Sequence, residues 1–136
     1  MQLGRLKLLW IISAVLGAMV AAAITSTLAS SRQQQNEAIA RAATGGDPAH
    51  APELLRRYGC AGCHTIPGVT GADGKVGPPL SGLVHRVYIG GVATNTPDHL
   101  VQWITAPQSL SPQSVMPPSG ISEQEARDVA AYLYSH

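Results

Sequence analysis

Cys60-Ala61-Gly62-Cys63-His64 holds both cysteines of a 136-residue chain, two residues apart, with a histidine directly after the second. Several chemistries use such a pair. A zinc site wants four ligands, and there is no second cysteine pair here to supply them. A disulfide between Cys60 and Cys63 would close a very short, strained loop. A thioredoxin-like dithiol belongs beside a βαβ pattern, and the flanking sequence shows none. In an exported chain, Cys-x-x-Cys-His fits covalent attachment of haem. The two sulfurs reach two former vinyl groups on one edge of the ring, and the adjacent imidazole swings under the iron. Ala61 and Gly62 are small enough for the ring to lie close to the backbone.

Export is read from the N-terminus. From Leu8 to Ala29 there are 22 residues without a charge, enough to cross a bilayer as a helix. Arg5 and Lys7 precede the run and only Arg32 follows closely. The positive-inside tendency then leaves the N-terminus in the cytoplasm and the rest on the periplasmic side of the cytoplasmic membrane. Thr27-Leu28-Ala29 resembles a cleavage site, but the run exceeds the ~7–15 residues usual for a signal-peptide core. The expectation is an uncleaved, single-pass anchor over residues 1–30.

Residues 31–46 read as a linker. Ser31 to Thr44 is polar and rich in helix formers, Glu37 and Arg41 stand four apart in the favourable order, and Gly45-Gly46 ends the stretch. A helical stalk of that length reaches about 20 Å; a floppy tether is the alternative.

Residues 47–136 form the domain. It lacks Phe and is rich in Gly and Pro, so its unaided core is marginal and a bound ring would act as a staple. Its seven acids against five bases give −2, and no basic face suits it to nucleic acid. Helical signals dominate. Pro52 to Tyr58 is a short helix with Pro52 in its first turn. Thr96-Pro97-Asp98 starts another, with a capping Thr and Pro first; Leu100, Val101 and Ile104 share a face, and Ala106-Pro107 ends it. Ser122 and Glu125 form a capping box, followed by Ala126, Val129, Ala130 and Leu133 at helical spacing. The expected class is all-α, preceded by one transmembrane helix.

If His64 holds one axial position of the iron, a second ligand comes from elsewhere: Met116, His85, His99, His50 or His136. Met1 and Met19 belong to the apolar run and do not reach. Met116 lies in the loop Val115-Met116-Pro117-Pro118, whose prolines would hold the thioether stiffly. A lone Met is often core filler, yet Met116 is the favoured ligand and His85 the runner-up. A His/Met pair gives a higher potential than bis-His.

In this order of helix, Cys-x-x-Cys-His, Gly-Pro loop, middle helix, Met loop and final helix, residues 47–136 resemble a class I cytochrome c. The resemblance implies one covalent haem c and a fold in which the first and last helices cross. Gly59, Ala130 and Tyr132 would suit that crossing. Gly77-Pro78-Pro79-Leu80 is similar to the family's Gly-Pro-x-Leu, in which the Pro carbonyl accepts from the axial histidine; the role falls on Pro78, with Leu80 against the haem face. Trp103 resembles a Trp beneath the haem whose indole meets a propionate, and Arg86 and Tyr88 are further propionate candidates. From Gly77 onward the chain also resembles cytochrome c domains that accompany bacterial haem-copper oxidases, through Tyr88-Ile89-Gly90-Gly91-Val92, Asn95-Thr96-Pro97, Met116-Pro117 and Ala130-Ala131-Tyr132-Leu133. It departs from fused versions in which a copper-binding domain comes first.

With two axial ligands the iron is closed, which implies an electron carrier rather than an enzyme. Three functions follow: a carrier between a quinol-oxidising complex and a terminal oxidase, tethered or built in; a haem subunit of a periplasmic dehydrogenase; or a sensor or peroxidase, which needs a displaceable sixth ligand. The exposed edge is expected near Ala61-Gly62 and Ile66-Pro67-Gly68-Val69, facing Met116-Pro117-Pro118, as a small, nearly uncharged docking patch. In the apolar run, Ser13, Gly17 and Ala21, and likewise Ala14, Ala18 and Ala22, stand four apart, a spacing that lets membrane helices approach closely.

Overall fold

Apolar and helix-forming residues run without interruption through the first third of the chain, and there a single helix, α1 (Gln2–Thr44), forms. The structure, a computed structural model, describes residues 2–136, with side chains from Lys7 onward. The readings that involve Met1 and the Arg5 side chain lie outside the described residues. The chain divides inside α1, into one unit ending at Gln35 and a second, Asn36–His136.

In the first unit, large apolar side chains from Leu8 to Leu28 stand exposed. At ~1.5 Å per residue the uncharged run is about 33 Å long, against a hydrocarbon core of about 30 Å. Its hydroxyls are satisfied within the helix: Ser13 donates to the Trp10 carbonyl at 3.0 Å and Thr25 to that of Ala22 at 2.9 Å. Ser26 and Thr27 do the same three residues back. Closing polar groups internally is what a hydrocarbon surrounding demands.

The second unit begins within the last turns of α1. Gly45, at φ +72°, ends the helix, its N–H donating to the Arg41 carbonyl at 2.9 Å, a left-handed stop that favours glycine. Gly46 is needed for a different reason. A Cβ there would lie 2.1 Å from the Arg127 carbonyl oxygen, because the chain presses on the backbone of the last helix. Arg127 donates to the Thr44 carbonyl at 3.0 Å, and the Asp47 N–H donates to Asp128 at 2.7 Å. The other carboxylate oxygen of Asp128 meets His50 Nδ1 at 3.0 Å. This junction is a set of directed bonds within the unit.

After a 3-10 turn at Pro48–His50, α2 (Ala51–Arg57) buries Leu54 and Leu55. One turn of helix, α3 (Cys60–Cys63), follows. A second 3-10 turn at Leu83–His85 leads to a minimal antiparallel hairpin, β1 (Tyr88–Ile89) and β2 (Ala93–Thr94). Then come α4 (Pro97–Thr105), α5 (Pro107–Leu110) and α6 (Glu123–Ser135). The fold is mostly helical, with the hairpin and an isolated antiparallel bridge between Thr65 and Asp73 as small additions. Thr96 caps α4 through the His99 N–H, and Ser122 with Glu125 forms the reciprocal capping box of α6, each satisfying donors a helix start leaves open.

The amphipathic spacing of α6 buries Ala126, Val129, Ala130 and Leu133 against α2 and α4 in one core. Polar ties cross the same seam. Tyr58 donates to Glu125 at 2.9 Å. The Ser122 hydroxyl first, and this phenol second, hold the Glu125 carboxyl below the ordinary carboxylate range. Tyr132 donates to the Pro67 carbonyl at 2.7 Å. Tyr134 donates to Asn95 at 2.7 Å, and burial pushes its phenol up to about 12.

The expectation for Gly59 needs correction. Nothing lies within 4 Å of a Cβ placed there, so no close helix crossing requires it. Its φ of +73° does, because it turns the chain from α2 into α3, a conformation glycine adopts freely. The expected docking patch also changes. Ile66 and Val69 are buried members of the core, 3% and 6% exposed, and cannot present a surface.

Candidate haem site

The loop after α3 is written by small residues. The His64 N–H still donates to the Cys60 carbonyl at 2.9 Å, closing the α3 turn. His64 itself is extended, at φ −115° and ψ 143°, so the chain leaves the helix there. The returning strand comes close: a Cβ at Gly74 would sit 2.6 Å from the backbone of Gly62 and Cys63. Gly77 then donates to the Cys63 carbonyl at 2.8 Å, and Leu80 to that of Thr65 at 2.9 Å. These bonds set Pro78 opposite the histidine ring.

His64 Nδ1 stands 2.8 Å from the Pro78 carbonyl oxygen. A carbonyl can only accept, so Nδ1 carries the proton and donates. That choice fixes the tautomer, leaving Nε2 with its lone pair free for a metal. Gly77 forms the wall behind the ring, where an added Cβ would fall 2.3 Å from Cε1 and 2.7 Å from Nδ1. Gly77→Ala is therefore expected to displace the imidazole and to cost about 1–3 kcal/mol, the range for forcing a methyl into a filled site. A thermal melt of the haem-loaded variant, with its visible spectrum, checks this; an unchanged melt and spectrum would contradict it.

In front of the histidine lies a mostly apolar cavity of about 280 Å³. Cys60, Cys63, His64, Pro78 and Leu80 line one part of it, and Trp103 and Met116 another. Arg86 and Tyr88 also reach its lining, and Leu55, Leu100 and Leu133 bring the core to its wall. All nine residues singled out in the sequence thus border one space. The other histidines do not border it. His50 is tied to Asp128, His99 Nδ1 lies 2.9 Å from the Thr94 carbonyl, and the His136 ring stacks on Tyr132 at 4.0 Å. His85 sits exposed in its 3-10 turn.

Three details were invisible in the sequence. The Trp103 ring lies over Gly90, where a Cβ would come within 2.4 Å of the indole. Arg86 donates to the Pro79 carbonyl and, at 3.3 Å, to that of Ser81, binding it to the loop that carries Pro78. Gln108 donates to the Met116 carbonyl at 2.7 Å and to that of Ser114 at 3.1 Å. Spacing alone signals none of these, since each partner comes from another segment.

The site fits a flat apolar ring held at one edge by two sulfurs. Burial pushes the Cys60 thiol above its ordinary pKa. A cytochrome c family profile matches residues 49–136, most of the chain and all of this site. The chain belongs to the cytochrome c family. It is also 33% identical over 104 residues to a cytochrome c2 of Agrobacterium tumefaciens (strain II Chrys), a similarity spanning 65% of this chain and 90% of that protein. The chain is a class I c-type cytochrome, and its cofactor is covalent haem c at the Cys60-x-x-Cys63-His64 motif. Cytochromes c are electron carriers, and the haem supplies a centre that gains and loses one electron. The residues that line the cavity would hold and orient that centre.

Proposed function

We propose that the protein is a membrane-anchored, mono-haem cytochrome that carries single electrons in a respiratory chain, to or within a terminal oxidase complex. The observation that carries this reading is the long exposed apolar helix upstream of the haem domain, with its hydroxyls closed internally. The haem domain lies on the periplasmic side, by the bias of Arg5 and Lys7 over Arg32. His64 and Met116 are the axial ligands, and Pro78 orients His64. Leu80 and Trp103 pack on the ring, while Arg86 and Tyr88 serve the propionate edge. Residues 1–30 anchor, 31–46 link and 47–136 carry the haem.

Electron transfer favours a site whose atoms move little when its charge changes. Two thioether bonds, a fixed imidazole and a braced Met loop provide that. Partners approach where the cavity opens. Its rim is apolar: Val115 is 94% exposed, Val76 80%, and both border the cavity with Tyr88. Arg86 is the one Lys, Arg, Asp or Glu among the residues lining it. Docking is thus a small apolar contact rather than a meeting of charged surfaces. The rate of electron transfer to an oxidase should change less than about threefold between low and physiological salt, because screening acts on charge. Stopped-flow measurement over a salt series checks this, and a fall of one or more decades would exclude the apolar patch. Co-purification with a terminal oxidase supports the partner proposed; co-purification with a periplasmic dehydrogenase overturns it.

A further inference from the structure

The Met116 loop carries two prolines after the methionine and one, Pro112, before it. Prolines have no N–H, so this segment is short of donors for its own carbonyls. It has little regular structure between Leu110 and Glu123, and Val115 at its tip is almost fully exposed. Something else has to fix it. Met116 N donates to the Ser114 hydroxyl at 3.3 Å, a long bond within the loop. The strongest tie comes from Gln108, whose amide nitrogen donates to the Met116 carbonyl at 2.7 Å and the Ser114 carbonyl at 3.1 Å. Both hydrogens of one amide are spent on the carbonyls either side of Val115.

Gln108 is itself well placed. It lies on α5, which starts at the buried Pro107. The Ser109 hydroxyl next to it accepts from Gln102 of α4 at 3.0 Å and donates to the Ala106 carbonyl at 2.6 Å. The brace therefore stands on a short helix bonded to α4, the helix that brings Trp103 to the same cavity.

We infer that Gln108 is a positioning residue for the sixth ligand: its side-chain amide holds the Met116 loop closed and so keeps the thioether on the iron. The inference rests on the reading of Met116 as that ligand. Opening the loop means breaking the iron–sulfur bond and both amide bonds together. Each amide hydrogen bond is worth roughly a fewfold to tenfold in an equilibrium, so their loss should raise the open population about tenfold or more.

The experiment uses the oxidised, haem-loaded full chain with imidazole as the probe, since imidazole takes the sixth position only when Met116 leaves it. Gln108→Leu removes both donors at similar volume, and Gln108→Glu keeps the shape without donors. Tyr58→Phe, at the α2–α6 seam and outside the cavity lining, controls for general loosening. Both Gln108 variants should bind imidazole about tenfold faster than the parent, with a lower reduction potential, and Tyr58→Phe should bind at the parental rate. Parental rates in both Gln108 variants, or an equal acceleration in Tyr58→Phe, would overturn the inference. Met116→Ala separates the two levels. If it binds imidazole no faster than the parent, the ligand reading fails. If it binds faster while the Gln108 variants do not, only the role of Gln108 fails.

Discussion

Replacing Cys60 and Cys63 together by serine should abolish the cooperative unfolding of the haem domain at room temperature, and any haem still associated should separate from the chain on a denaturing gel. The reason is the size of the space these residues border. A ring that fills this mostly apolar space of about 280 Å³ adds apolar burial to a small domain whose whole stability is about 5–15 kcal/mol. The walls of the space are core residues such as Leu55, Leu100, Val129 and Leu133. They pack on one another in one buried core behind the space, and a ring that fills it extends that core. Without the thioether bonds, retention depends on the axial ligands alone. Circular dichroism melts of the parent and the double variant check the result. A cooperative transition with the parental midpoint would contradict it.

Substituting Met116 by alanine should open the sixth coordination position. The reduced variant should bind carbon monoxide, which the parent excludes, and the reduction potential should fall by on the order of 0.1 V or more. Axial-ligand identity spans about 0.8 V in haem proteins, and a thioether sits toward the high end. The competing ligand named from the sequence was His85. It lies exposed in the 3-10 turn at Leu83–His85 and does not border the cavity. His85→Ala should accordingly leave spectrum and potential as they are. If the two variants behaved the other way round, Met116 would be an ordinary packing residue.

What could be read from the sequence was local. Covalent attachment forces cysteines and histidine into five consecutive positions, so Cys60, Cys63 and His64 declare themselves without a fold. The capping box at Ser122 and Glu125 and the Thr96-Pro97 start are likewise set by residues within one turn. The hairpin escaped because two-residue strands are too short to show alternation. Gly77 read as part of the Gly-Pro loop, but its requirement comes from the His64 ring, thirteen residues earlier, pressed against its backbone. Gln108 carried no signal at all, since its partners lie beyond the next turn in an irregular loop. Two residues of the expected docking surface, Ile66 and Val69, were misplaced for a similar reason. Ile66 and Val69 stand near the motif in sequence, but the chain between them turns back on itself. Val69 donates to the Ile66 carbonyl and Ala72 to that of Val69, which tucks both side chains into the core. The exposed rim comes instead from Val76 and Val115, which flank the site from different loops.

The most direct test of a haem carrier fixed to a membrane is a reduced-minus-oxidised absorbance spectrum of salt-washed membranes from cells making the full chain, with a haem stain on the denaturing gel of the same sample. The account predicts a c-type signal that stays with the membranes, on a stained polypeptide of the full 14.2 kDa chain plus one haem. A stained chain that washes off as a shorter soluble polypeptide, or no stain in a host able to attach haem, would contradict it.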